Sequence, residues 1–547
     1  MLPTVLPSPR RKLLLTSRSV RATQTRQEPP EGAHRRVAPR LGALLLLVSG
    51  SACGGATPAP PSRQATTPRA VPSLVAAREV AAVAPPAPET APEPAPPPEP
   101  EGPPSLYAPS GLVRIYEKPD RSSPVLGAFR AGQSVVLKDT NLPAARTRNK
   151  PFKCTEGWYP IEPRGFVCVG GPGFATKDAK DPTYLAAKAT LPDFDSPYPY
   201  HYGTSVGAPQ YLRIPTAEEQ RATEPDLDSY LNNLPAADPE TGAISTAKAG
   251  VGPSKAWLAY EATAKPKLVH DKEAYDGYKV AWTGEFDANG RTWLITPTMT
   301  IVPKDKVRVS EKMPTLKGID LRKTDTELPL AFFWLGDAKK FVKNEHGMLI
   351  ETDEVYERHS FVPASMEQAA GPKGVYWKMD DGGYVHFRDA TIIRPGKRPG
   401  GVGENEKWVE VRITWGFLIA YEGDTPVYAT AVSPGANGIN KKGHTTAIGR
   451  HYVDWKLYTG DMSGRDGGQD WFIEEVPWVQ YYKGNYAFHG AFWHNDFGRP
   501  KSHGCVNLAP ADAQALFKWM DPVIPEGWYA ASAYYPHVKG TFLLIRH

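Results

Sequence analysis

At 547 residues the chain is longer than one domain usually needs, and its 57 prolines are spread too unevenly for a single globule. A formal charge of +5, with no clustered Lys/Arg face carrying interleaved aromatics, argues against nucleic acid as a partner. With 41% hydrophobic and 10% aromatic residues, the part beyond the first hundred positions can bury a core.

The N-terminal segment reads as an export signal. Arg35, Arg36 and Arg40 precede an apolar run from Leu41 to Val48, and small residues from Ser49 to Ala52 lead to Cys53. The run is too short to span a bilayer. Gly50-Ser51-Ala52-Cys53 resembles a lipobox, with Gly50 where Leu or Val is usual. That resemblance implies lipidation of Cys53 as the first mature residue, against plain cleavage nearby, and hence an exported lipoprotein of the cell envelope or periplasm held to a membrane. Residues 1–53 are read as signal and lipobox, and 54–105 as a Pro/Ala-rich disordered linker with almost no core-forming residues. At about 3.1 Å per residue in polyproline II, such a tether reaches on the order of 100 Å.

Globular sequence begins near Leu106. Val113-Arg114-Ile115-Tyr116 alternates as a strand, Pro119-Asp120 and Ser122-Ser123-Pro124 mark turns, and Val135-Val136-Leu137 is another apolar run. Together with Val125-Leu126-Gly127, Ala131-Gly132-Gln133, Gly157-Trp158-Tyr159 and Gly165-Phe166-Val167, these resemble a bacterial SH3 domain over residues 106–175. The resemblance implies a small barrel that binds wall peptide or glycan; a purely structural spacer is the alternative. Cys154 and Cys168 flank a short loop, which in an exported protein favours a disulfide over a metal site. If Cys53 is lipidated and these two are paired, Cys505 is the remaining thiol, a liability in an oxidising compartment unless it has a task.

Residues 176–403 are read as one or two β-rich modules of unknown role. Tyr278 to Trp282, Thr292 to Ile295 and Gly374 to Trp377 read as strands, and Glu218 to Leu231 as a short helix. The segment from Gly374 to Ile393 loosely echoes the first barrel. His201, His346, His359 and His386 lack spaced metal-binding partners and are taken as surface or packing residues.

Residues 404–547 carry the chemistry. Val409, Val411 and Ile413 alternate with Glu410, Arg412 and Thr414, and a Glu422-Gly423-Asp424-Thr425 turn follows, which predicts a hairpin with one buried face. Further on stand Tyr486-Ala487-Phe488-His489-Gly490 and Ser502-His503-Gly504-Cys505-Val506-Asn507. Ala513, Leu516, Phe517 and Met520 then recur at helical spacing behind Pro510.

His489-Gly490 followed by Ser502-His503-Gly504-Cys505-Val506-Asn507 is similar to the catalytic domain of the YkuD-type L,D-transpeptidases. A Thr-Pro-Thr-Gly turn usual in that family is replaced by His444-Thr445-Thr446-Ala447-Ile448-Gly449, and the spacing from His489 to Ser502 is short. The resemblance implies a cysteine acyltransferase acting on peptidoglycan stem peptides, with Cys505 as nucleophile and His489 as base. A thiolate can hold an acyl group if a base or cation lowers its pKa. By the same resemblance, the Gly490 carbonyl is expected to fix the imidazole tautomer, the amides of Gly504 and Cys505 to face an oxyanion, His503 and Ser502 to shape the pocket, and Asn507 to brace the loop. Trp478, Tyr481 and Trp493 are candidate pocket walls, with core packing as the alternative for each. No cofactor or metal is implied. The expected architecture is a mainly β, multidomain chain: SH3-like barrel, β-rich middle, and YkuD-type β-sandwich with a short helix after the cysteine.

Three other readings compete. Zinc held by His489, His494, His503 and Cys505 lacks the paired cysteines of a structural site. A wall hydrolase of the NlpC/P60 class places cysteine before histidine, the reverse of the order here, and a non-enzymatic wall-binding lipoprotein has no need of a thiol beside a histidine. Within the resembled family, water in place of the acceptor amine gives an L,D-carboxypeptidase or endopeptidase on the same acyl-enzyme.

Overall fold

The computed structural model describes residues 102–547, apart from 139–153, 172–173, 235–252, 265–267, 269–275, 437–443, 467 and 534–536. The signal segment, Cys53 and the linker up to residue 101 lie outside the described residues. Strands dominate, as expected from short β-branched and aromatic runs between Gly, Pro and Asp turns.

In the first module Leu112–Tyr116 pairs antiparallel with both Val125–Arg130 and Phe166–Val169, and Gly157–Pro160 completes the run. Ser105–Tyr107 pairs with Ser134–Val136, so ordered strand begins at the last residue assigned to the linker. Among the described residues these ladders do not close into a barrel. The second edge of Val125–Arg130 instead pairs with Ala530–Ser532 near the C-terminus. Gly127 permits that approach, because a Cβ there would collide with the Ala530 carbonyl and the Trp528 ring. Trp528 in turn completes a core of Val113, Ile115, Leu126, Phe129 and Val167. Cys154 and Cys168 are disulfide-bonded, with Cα atoms 5.3 Å apart, beside Tyr116 and Trp158.

Ala530–Ser532 also pairs with Trp455–Asp466, and the sheet continues through Gln469–Lys483, Lys279–Trp282 and His201–Ser205 to Val307–Val309. Segments that read as consecutive modules therefore share one sheet. The middle region also contains more helix than its sequence suggested. Ala217–Thr223 starts in a Thr216/Glu219 capping box and breaks before Pro225, and Leu227–Asn232 and Lys255–Ala264 follow. Residues 330–393 form a seven-stranded sheet of their own, which takes in the Gly374–Met379 strand.

The C-terminal part packs two sheets face to face. Lys407–Arg412 and Phe417–Glu422 form the expected hairpin, flanked by Thr425–Ala431 and, in parallel, Phe542–Arg546. Val409, Val411, Leu418 and Ile545 meet Trp478, Phe488, Val506 and Leu508 of the other sheet, and the helix Pro510–Trp519 adds Leu516 and Phe517. Each such fully buried Leu or Phe contributes about 1.5–3 kcal/mol. The hairpin is buried on both faces, not one. Leu330, Phe332 and Ile393 cover its second face, where Trp408, Phe417, Ile419 and Tyr421 lie. Glu410 is accordingly buried, with Arg412 and Arg546 both 2.5 Å from its Oε1.

Candidate active site

Tyr486–Gly490 pairs in parallel with Val506–Leu508, in a register that sets Phe488 opposite Val506 and His489 opposite Asn507. Strand side chains alternate in direction. Phe488, Val506 and Leu508 therefore point into the sandwich core, while Ala487, His489, Cys505 and Asn507 share the other face. Cys505, directly before that strand, therefore lies on the same face as His489, two positions along from Asn507, the strand partner of His489.

Cys505 is a free, partly buried thiol. Its Sγ lies 3.6 Å from the Asn485 carbonyl and receives a hydrogen bond from the Ala487 amide. Burial pushes the thiol pKa up, opposed only in part by that amide. Burial thus works against the lowering that the sequence reading expects.

His489 is 2% exposed. Its Nδ1–H donates to the Gly490 carbonyl at 3.3 Å, which leaves Nε2 with the lone pair of a base. Burial, opposed by the Gly490 carbonyl, brings its pKa down to about 4, so the imidazole is neutral at neutral pH. Gly490 admits no side chain cheaply: a Cβ would stand 3.0 Å from Pro477 Cγ and 3.2 Å from Pro510 Cα.

The turn before the nucleophile is braced by Ser502. Its Oγ accepts from the Gly504 amide at 3.0 Å and donates to the Cys505 carbonyl at 2.5 Å. Gly504 has φ +135°, and a Cβ there would stand 2.8 Å from the Tyr486 ring. The Gly504 amide is therefore engaged inside the turn, which corrects its assignment as an oxyanion donor. Asn507 Nδ2 lies 2.9 Å from His494 Nε2, tying the nucleophile strand to the loop that leads from His489 to it.

Cys505 opens on a cavity of about 730 Å³ whose walls include Tyr481, Tyr486, His503, Trp471 and Asp461. Of the aromatic wall candidates, Tyr481 is there. Trp478 is not: it is 0% exposed in the sandwich core, with Nε1 donating to the Pro197 carbonyl. Trp493 lies behind the imidazole, its ring 5.7 Å from that of His489. A second cavity, of about 500 Å³, shares Asp461 and Tyr481 with the first and is bordered by Leu112, Arg130, Pro297 and Met299 of the upstream segments.

Sequence reasoning missed the long hairpin of Trp455–Asp466 and Gln469–Lys483, which supplies Asp461, Met462, Ser463, Trp471 and Tyr481 to the cavity. Its signal was the Asp466-Gly467-Gly468 turn between two aromatic-rich runs. The zinc set weighed from the sequence is not assembled. Among the described residues the group with metal-binding geometry is His444, Asp466 and His503.

Residues 406–533 match the family model for the L,D-transpeptidase catalytic domain, YkuD. This segment is a YkuD-type domain. The solved structures that resemble the chain include an L,D-transpeptidase (residues 123–326) from Xylanimonas cellulosilytica, at 26% identity and TM-score 0.19, covering 27% of this chain and 64% of that one. The catalytic domain of the E. faecium enzyme is 20% identical with TM-score 0.20, covering 26% of this chain and 98% of that one. An L,D-transpeptidase from Mycobacterium smegmatis is 16% identical with TM-score 0.20, covering 44% of this chain and 89% of that one. The chain thus spans less than two thirds of the Xylanimonas chain. No curated protein sequence matches the chain. The YkuD domain holds every residue of the His489 and Cys505 arrangement.

Proposed function

We propose that the chain is a peptidoglycan L,D-transpeptidase that forms or exchanges stem-peptide cross-links through a thioester on Cys505. The observation that carries this reading is the parallel strand pairing that sets His489 and Cys505 on one face, beside a cavity, within the YkuD domain.

In this reading the donor is a stem tetrapeptide with a diamino acid at position three. Cys505 Sγ attacks the carbonyl of that residue as His489 Nε2 takes the thiol proton. Collapse of the tetrahedral intermediate breaks the C–N bond, and the terminal D-Ala amine leaves with the proton returned by His489. A side-chain amine of a neighbouring stem then attacks the thioester, loses its proton to His489, and frees the thiol. Water in the amine's place gives hydrolysis, as a carboxypeptidase or endopeptidase.

The same reading takes Cys53 as a lipidated envelope anchor, the Pro/Ala-rich segment as its tether, and the strand module over residues 106–175 as a wall-binding element. Mass spectrometry of exported protein tests the anchor: an unmodified N-terminus elsewhere than Cys53 removes it. For the enzyme, the test is muropeptide analysis of wall incubated with purified protein, alongside peptide mapping after carbapenem treatment. An adduct on Cys505 and new cross-linked or exchanged stems are expected. A wild-type protein without adduct, or one whose adduct persists in Cys505→Ala, overturns the mechanism.

A further inference from the structure

We propose that His444, Asp466 and His503 form a divalent-metal site, suited to Zn²⁺, at the rim of the cavity that holds Cys505. The three residues come from separate stretches of chain, and their ligand atoms lie within 4.8 Å of one another. Asp466 Oδ2 is 3.4 Å from His503 Nε2, and Oδ1 is 3.9 Å from His444 Nε2. Tetrahedral zinc with bonds of about 2.1 Å needs ligand atoms roughly 3.4 Å apart, so two of the three separations already lie within about 0.5 Å of a bound geometry and the third within about 1.4 Å. Two imidazoles and one carboxylate are a donor set for a borderline-soft dication with a position left open, not for Mg²⁺ or Ca²⁺.

The surroundings hold these side chains in place. The His503 ring stacks on Trp471 at 4.8 Å and meets His444 edge-on at 4.5 Å. The Thr446 hydroxyl accepts from the Gly435 amide at 2.7 Å, which anchors the His444 segment. Gly504 packs against the Thr445 carbonyl, so the turn bearing His503 lies directly on that segment. His503 is the exposed member and lines the Cys505 cavity. A bound ion joins the 444–446 segment, the hairpin end at Asp466 and the nucleophile turn, three stretches otherwise linked by packing and hydrogen bonds.

This site stands independently of the acyl-transfer reading, and the test separates the two. Tag-free full-length protein, stripped of metal, is titrated with Zn²⁺ by calorimetry and with Co²⁺ by absorption, in wild type and in Cys505→Ala. One equivalent is expected to bind both proteins with nitrogen and oxygen ligation, and to raise the thermal midpoint of both. His444→Ala and Asp466→Asn, checked for folding by circular dichroism, should each lose at least the roughly 10–100-fold in affinity that follows loss of even an outer-sphere partner. His346→Ala should bind as wild type does. Folded wild type that takes up no metal overturns the proposal. So does binding that survives both His444→Ala and Asp466→Asn, or binding that disappears in Cys505→Ala with a thiolate-to-cobalt band in wild type.

Discussion

Replacing Arg130 with Met should destabilise the protein by roughly 3–5 kcal/mol at neutral pH, the usual result of stranding one partner of a buried ion pair. Arg130 approaches the Glu475 carboxylate through both terminal nitrogens, at 2.8 and 2.6 Å, and also donates to Tyr529 Oη at 2.7 Å. Both charges are buried. Met keeps most of the volume, so the loss is one of charge and hydrogen bonds. Burial raises the Glu475 pKa, but Arg130 outweighs it and holds the carboxyl below the ordinary value of 4.5. In wild type the group therefore contributes stability above the unfolded pKa, which is lost as pH falls through the depressed folded value. Without Arg130, burial prevails and the folded pKa rises, so the variant's deficit develops as pH rises through that value. The gap between the urea midpoints of wild type and variant should be widest at pH 7–8 and narrow towards pH 4. Arg130→Met/Glu475→Leu should recover most of the loss. A gap below about 1 kcal/mol, or one that does not change with pH, would refute the reasoning.

His489→Ala should slow acylation of Cys505 by about 10²–10⁴-fold, and by more than Trp493→Ala does, in stopped-flow reaction with a carbapenem. Because burial holds the imidazole near pH 4 in its titration, the acid limb of acylation should fall near 4, below the ordinary histidine value of 6.5, and vanish in His489→Ala. Ser502→Ala removes both hydrogen bonds of the nucleophile turn, and Ser502→Thr should restore part of the acylation rate that Ala loses. Without reductant, a thiol reagent should label Cys505 but neither Cys154 nor Cys168; reduction of that loop of about 15 residues should cost roughly 3 kcal/mol.

The nucleophile could be located from sequence because its geometry is local. Ser502, Gly504 and Cys505 brace one another within four residues, so the motif carries its own turn. The hairpin over residues 407–422 was legible for the same reason, yet its second buried face was not. Glu410 sits where alternation demands a solvated residue, and its burial depends on Arg546 and on a cover from residues 330–393. Trp478 shows the converse: an aromatic near the motif reads equally as wall or core, and only the packing of the opposite sheet decides. The closure of the first module against Ala530–Ser532 joins partners some four hundred residues apart, which no local pattern announces. His444 and Asp466 were invisible as a pair because neither stands at a metal-ligand spacing from the other.

The shared sheet bears on how this chain can be cut or recombined. A fragment starting at residue 404 would leave unpaired the edge of Ala530–Ser532 that meets Val125–Arg130 and the contact of Gln469–Lys483 with Lys279–Trp282. It would also strip Arg130 from Glu475 and uncover Trp528. Exposed strand edges beside bared aromatics are templates for self-association. The region that the family model outlines, residues 406–533, thus leaves outside it the strand partners, the ion-pair partner and the aromatic cover that complete its sheet, so a boundary drawn from the match alone cuts through a shared core.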